Sequence, residues 1–112
     1  MSQLEVHREF EGDVTIVSFG GEFDYAEMGT AQEELRAAEE LAPKVLLLDL
    51  TGLAFMDSSA VRVILQADRR AREQGRRLAL LTGTGPPHRV LSILGLVTRL
   101  DIVADREAVT GS

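Results

Sequence analysis

Val45-Leu46-Leu47-Leu48-Asp49-Leu50, then Thr51-Gly52, then Leu53-Ala54-Phe55-Met56-Asp57-Ser58-Ser59-Ala60-Val61-Arg62-Val63-Ile64-Leu65: this stretch decides the fold. Its first six residues are almost continuously apolar, the pattern of a strand buried on both faces in a parallel sheet. Thr51-Gly52 reads as a turn. From Ser59 to about Gln74, Ala60, Val61, Ile64, Ala67 and Ala71 recur at helical spacing. Gly75 stands where a left-handed C-terminal cap belongs. Leu78 to Thr82 is a second apolar run of strand length. Strand, helix, strand in this order is a βαβ unit with a right-handed crossover.

Toward the N-terminus, Leu4–Phe10 and Val14–Phe19 are short β-prone runs joined by Glu11-Gly12-Asp13, which reads as a hairpin. Val14, Ile16 and Ser18 face one way, Thr15, Val17 and Phe19 the other, and Gly20-Gly21 marks the end of the second run. A helix follows, with Met28, Ala31, Leu35, Ala38 and Leu41 on one face and Glu33, Glu34, Glu39 and Glu40 on the other. Pro43 stops it, and the cost of Gly29 in a helix interior, about 1 kcal/mol against Ala, puts its start nearer Thr30.

Toward the C-terminus, Pro86-Pro87 open a third helix whose stripe is Val90, Leu91 and Leu94, and Gly95 ends it. Leu100 to Val103 is a last strand, and Arg106 to Ser112 is a short helix or a frayed tail. The order β-β-α-β-α-β-α-β predicts an α/β domain. One mixed, mostly parallel sheet of about five strands carries four helices, with one antiparallel edge pair. The 112 residues fit a single domain, 1–112, with a core at about 4–104.

With 12 basic and 18 acidic residues, the net charge is −6. That balance and the scarcity of aromatic rings argue against a nucleic-acid partner. The absence of cysteine excludes disulfides and thiolate chemistry. MSQLEVHREF carries no apolar leader core, and no apolar run approaches the roughly 20 residues of a membrane span, so a cytoplasmic protein is expected. Arg62, Arg69, Arg70, Arg72, Arg76 and Arg77 cluster on the second helix and just after it. They read as a solvated face or as a docking patch for an acidic partner or a phosphate.

Catalytic equipment is missing. There is no phosphate-binding GxxxxGK[ST] loop and no GxSxG nucleophile elbow. Gly83-Thr84-Gly85 runs into two prolines and reads as turn chemistry. His7 and His88 have no metal-ligand spacing, and nothing local supports a Ser58–His88 pair with a third acid. Glu22 with Asp24, and Asp49 with Asp57, are pairs that an acidic chain produces by chance. A receiver-type phospho-aspartate site needs a late lysine, and the sole lysine is Lys44, ahead of a strand. No enzyme, cofactor or metal site is expected. Asp57-Ser58-Ser59 remains, at the mouth of a helix. Asp and Ser are preferred N-caps, and that explains one such residue better than three, with the large apolar Met56 beside them. On pattern alone, cap and functional site stand equal.

GEFDYAE (21–27), LRAAEEL (35–41), the whole of residues 45–81 and PPHRVLSILGL (86–96) resemble the STAS-domain family of anti-sigma factor antagonists. The likeness runs from about Phe19 to Val103 and is most specific at L-D-L-T-G-L-x-F-M-D-S-S. It implies that Ser58 is phosphorylated by an anti-sigma factor with serine kinase activity. The unmodified protein would bind that partner and free the sigma factor, and a serine phosphatase would restore the active form. Asp24, Met56, Asp57, Ser58 and Ser59 would form the recognition surface. Two departures stand out. Ala60 replaces the family's usual Gly, where a methyl group could alter the approach of a kinase. Tyr25-Ala26-Glu27 replaces polar or small residues and bears on partner choice. An alternative is a STAS docking subunit of a lipid-transport complex or stress-signalling scaffold without a phospho-switch. From another class, a small nucleotide-binding or hydrolytic protein would use Ser58, Asp57 and Asp24.

Overall fold

The computed structural model describes residues 3–111. Met1, Ser2 and Ser112, counted in the expected domain, lie outside the described residues. Strands β1 (Leu4–Glu11) and β2 (Val14–Phe23) lead through a single 3-10 turn (Tyr25–Glu27) into helix α1 (Met28–Glu40). Then come β3 (Val45–Met56), α2 (Ser58–Glu73), β4 (Arg77–Leu81), α3 (Pro86–Ile93), β5 (Ile102–Val103) and α4 (Glu107–Thr110). The five strands lie side by side in sequence order, β1 antiparallel to β2 and every other pair parallel.

That order explains the layering. Each crossover steps to the next strand in the same direction, and crossovers of one hand then drop their helices on one face. The buried side chains agree. Ala31 and Leu35 of α1, Val63, Ile64 and Ala67 of α2, and Leu91 of α3 pack against Val17, Phe19, Leu46, Leu48, Leu50 and Leu80. The opposite face carries a smaller cluster, Val14, Ile16, Leu47, Ala79, Leu81 and Val103, covered by Val109 of α4. β3 is therefore buried on both sides, as its apolar run predicts.

Two predicted strand ends are wrong for one shared reason. Gly20-Gly21 does not end β2, and Thr51-Gly52 does not end β3. Both strands run on to Phe23 and Met56, with register shifts between Ser18 and Gly20 and between Gly21 and Glu22. Gly21 and Gly52 are there because neighbouring backbone comes too close for a side chain. A Cβ on Gly52 would lie 2.9 Å from the Phe19 carbonyl oxygen, and one on Gly21, whose φ is +84°, would collide with that of Gln3. Glycine inside a strand marks such an approach or a bulge as readily as a turn. Helix starts also move. The 3-10 turn leads directly into α1 at Met28, ahead of Thr30, and the solvent-facing Gly29 is tolerated. α2 begins at Ser58, one residue earlier than expected. The last strand shrinks to Ile102–Val103, and the C-terminal alternative resolves as one helical turn closed by Gly111.

Candidate functional site

β2 and β3 are parallel neighbours, and their last residues, Phe23 and Met56, are paired. Each is followed at once by an aspartate that caps a helical segment. Asp24 accepts a hydrogen bond from the Ala26 amide at 3.0 Å, and Asp57 accepts one from the Ser59 amide at 2.8 Å. Their backbones match as well, φ −116° and ψ −173° at Asp24 against φ −115° and ψ −170° at Asp57. The Asp57 amide donates to the Phe23 carbonyl at 3.3 Å, which ties the two ends together. The strand continuation past the glycines thus brings residues 33 positions apart to one rim of the sheet.

The cap accounts for part of the Asp57-Ser58-Ser59 cluster and leaves a remainder. Asp57 and the backbone of Ser59 are used in it, and both residues are half-buried. Ser58 is exposed, stands at the first position of α2, and has no hydrogen-bond partner among the described residues. A cap alone does not require it.

Met56, expected on the recognition surface, is instead a core residue, 3 % exposed and packed in the main cluster. Simple alternation breaks near the end of β3: past the register shift between Gly21 and Glu22, Leu53 and Met56 face inward while Ala54 and Phe55 face out. Phe55 beside it is 47 % exposed and Tyr25, next to Asp24, is 76 % exposed. Sequence reading missed Phe55 as a surface group because it sits in an apolar strand run. Tyr25 was noticed only as a departure from the family pattern, although an aromatic in a loop after a capping Asp is itself a surface cue. The concern over Ala60 also changes. It is 0 % exposed within the main core, so its methyl faces the protein interior and not an approaching enzyme. Glu27 is buried and accepts from the Gln3 amide at 3.0 Å, a structural role.

The other polar residues are dispersed. Asp49 and Asp57 do not form a pair: Asp49 is buried on the far face of the sheet, bonded to Thr51 and Arg106. Burial pushes its carboxyl up, but the hydroxyl and amide of Thr51 and the Arg106 guanidinium outweigh that, and the group titrates below its ordinary value. His88 lies 3.3 Å from the Thr82 hydroxyl, so no Ser58–His88 pair forms, and His7 lies 3.5 Å from Glu9. Among the described residues no cluster of His, Asp or Glu is arranged to hold a metal ion, and no helix is long and apolar enough to cross a membrane.

The arginine cluster divides. Arg70 makes two 2.7 Å bonds to Glu39, which tie α2 to α1. Arg72 pairs with Asp68 at 3.0 Å, Arg76 donates to the Pro43 carbonyl at 3.0 Å, and Arg77 pairs with Asp101 at 2.7 Å. Arg62 and Arg69 are exposed and have no partner among the described residues. They line one open groove of about 380 Å³ along α2, together with Ser58, Val61, Leu65 and Gln66.

The STAS domain profile matches residues 5–108. An anti-sigma F factor antagonist of Paenibacillus polymyxa is 30% identical over 94 residues, covering 83% of this chain and 80% of that protein. The crystal structure of an anti-sigma factor antagonist from Mycobacterium paratuberculosis superposes with a TM-score of 0.85 at 17% identity, covering 94% of this chain and 89% of that one. The Bacillus cell fate determinant SpoIIAA, solved in its phosphorylated form, superposes with a TM-score of 0.68 at 19% identity, covering 94% and 96%. These two likenesses concern the fold.

Proposed function

The chain belongs to the STAS domain family of anti-sigma factor antagonists, and we propose that it works as a partner switch thrown at Ser58. The unmodified rim of Asp24, Asp57, Ser58 and Ser59 binds an anti-sigma factor that is also a serine kinase, and the sigma factor is released. The kinase then moves the γ-phosphoryl group of ATP onto Ser58. An Oγ–P bond forms, the bond to the ADP oxygen breaks, and the hydroxyl proton passes to a base of the kinase. A serine phosphatase reverses the modification by hydrolysis. The cycle runs in the cytoplasm, where the sigma factor works. Ser58 is a substrate residue of other enzymes, and the chain itself carries out no chemistry.

One observation carries the reading: of the two serine hydroxyls beside the Asp57 cap, both without a hydrogen-bond partner among the described residues, Ser58 is the exposed one, while Ser59 is half-buried and its amide is held by Asp57. A fixed backbone on either side presents Ser58. A phosphoryl group adds about −1.5 to −2 charges at neutral pH, beside two carboxylates already on the rim. Inside the domain it points to water. In a complex it is desolvated against a surface shaped for a neutral hydroxyl, and a few kcal/mol of cost lowers affinity about 100-fold or more. With Met56 buried, the apolar contact at the rim falls to Tyr25 and Phe55.

The test is incubation with ATP and each anti-sigma factor kinase of the organism that encodes the chain, followed by mass spectrometry. Phosphate on Ser58, absent from Ser58→Ala, is the expected result. If none of those kinases modifies Ser58, the switch fails and constitutive docking takes its place.

A further inference from the structure

The groove that contains Ser58 also contains two cations, Arg62 and Arg69, that have no partner among the described residues. Residues 58, 62, 65 and 69 are spaced by four, three and four, which places them within about 60° of one another around α2. Arg62 sits one turn from Ser58, about 6 Å along the axis, and Arg69 sits about 16 Å away, farther than an arginine side chain extends. An anion four residues N-terminal to a cation is the favourable order for a helical pair. Chain order, strand pairing and the groove place Asp57, Asp24 and Arg62 nearest to Ser58 among the charged residues considered above. Asp57 is already engaged with the Ser59 amide, and Arg62 has no competing carboxylate among the described residues. The remaining arginines of the cluster are held elsewhere, by Glu39, Asp68, Pro43 and Asp101.

We infer that Arg62 is a built-in clamp for phosphoserine at position 58, which folds back onto the dianion and withdraws from the outer surface when the serine is modified. The inference rests on the phospho-switch proposed above. Its consequence is that modification alters the surface twice. It adds an anion, and it removes a free cation that the unmodified protein offers to a partner's carboxylate. Guanidinium and phosphate form charge-assisted, often two-pronged bonds, stronger than a carboxylate pair at the same spacing. Arg69, on the same face but out of reach, stays free in both states.

The test installs phosphoserine at position 58 during translation, so no kinase is needed. A kinase that fails to modify Ser58 therefore leaves this result untouched. Phosphorus NMR then follows the second ionisation of the phosphate, about pH 6 in an unstructured chain, in the full-length protein. Arg62→Gln is expected to raise that pKa by about 0.5 unit, Arg62→Lys by less, and Arg69→Gln to leave it where it is. All three positions are exposed, and matching thermal unfolding of the variants checks that the fold is intact. An unchanged phosphate pKa in Arg62→Gln overturns the clamp. So does an equal rise in Arg69→Gln, which would reveal only a diffuse field from the helix.

Discussion

Replacing Arg106 by leucine strips the back of the sheet of the cation that holds the buried Asp49 carboxylate. Arg106 donates to Asp49 at 3.0 Å and to the Ser18 hydroxyl at 3.3 Å through Nη2, and to Glu9 at 3.0 Å through Nη1. The Asp49 side chain is 10% exposed and that of Arg106 34%. Removing one partner of a fully buried pair costs about 3–5 kcal/mol, because the other charge is left uncompensated. Here water reaches the guanidinium side, and Asp49 keeps its bonds from the Thr51 amide at 3.0 Å and hydroxyl at 2.6 Å. The expected loss is therefore nearer 2 kcal/mol, or about 8 °C in Tm at roughly 4 °C per kcal/mol for a domain of this size. The pH dependence has a definite sign. Asp49 titrates below its ordinary value of 3.8, so the pair contributes fully above that value, and the contribution fades as pH falls through the lower folded-state value. Thermal unfolding followed by circular dichroism at pH 7, and then at descending pH while both proteins remain folded, should show a deficit that narrows below about pH 4. A variant within about 2 °C of the parent at pH 7 would refute the pairing argument. A deficit that stays constant with pH would refute it too, and assign the loss to packing of the arginine stem.

Gly52→Ala should destabilise by about 2 kcal/mol in urea unfolding, because its methyl meets the backbone of β2 and forces the two strands apart. Gly20→Ala, whose nearest contact is an ordinary 3.6 Å, should cost clearly less, and equal losses would sink the close-approach explanation. Asp57→Ala removes the cap of α2 and should cost about 1 kcal/mol, with Asp57→Ser recovering most of it. Full stability in Asp57→Ala, read from the same urea curves, would mean that the cap is not what fixes this residue.

The central βαβ unit was legible because its apolar runs are long and their periods differ, continuous in β3 and helical in α2. What the sequence concealed lies where one residue type serves two physical ends. Gly21 and Gly52 look like turn residues, but they let neighbouring backbone approach, that of Gln3 and that of Phe19. Only the partner strand, which no local window contains, tells the cases apart. Met56 and Phe55 are adjacent apolar residues, and a shifted register decides which one faces out. Asp49 was set aside as one of many acids. Its role depends on Arg106, 57 positions away, which no spacing rule connects to it.

The two faces of the sheet explain why Ser58 suits the switch proposed for it. A buried carboxylate must be paired, and Asp49 is paired on the far face, so it adds no anion to the rim. Along the near rim, backbone amides are satisfied by Asp24 and Asp57, and the alanine after the serines turns its methyl into the core. Between them, Ser58 is left with a rigid backbone and an exposed hydroxyl that has no partner among the described residues. A charge added there meets no packed side chain that must move, so the fold can carry it. The cost of that charge falls on whatever binds next to it. In the proposed switch, that separation is what would let the same 112 residues stay folded in both states while their affinity for a partner changes.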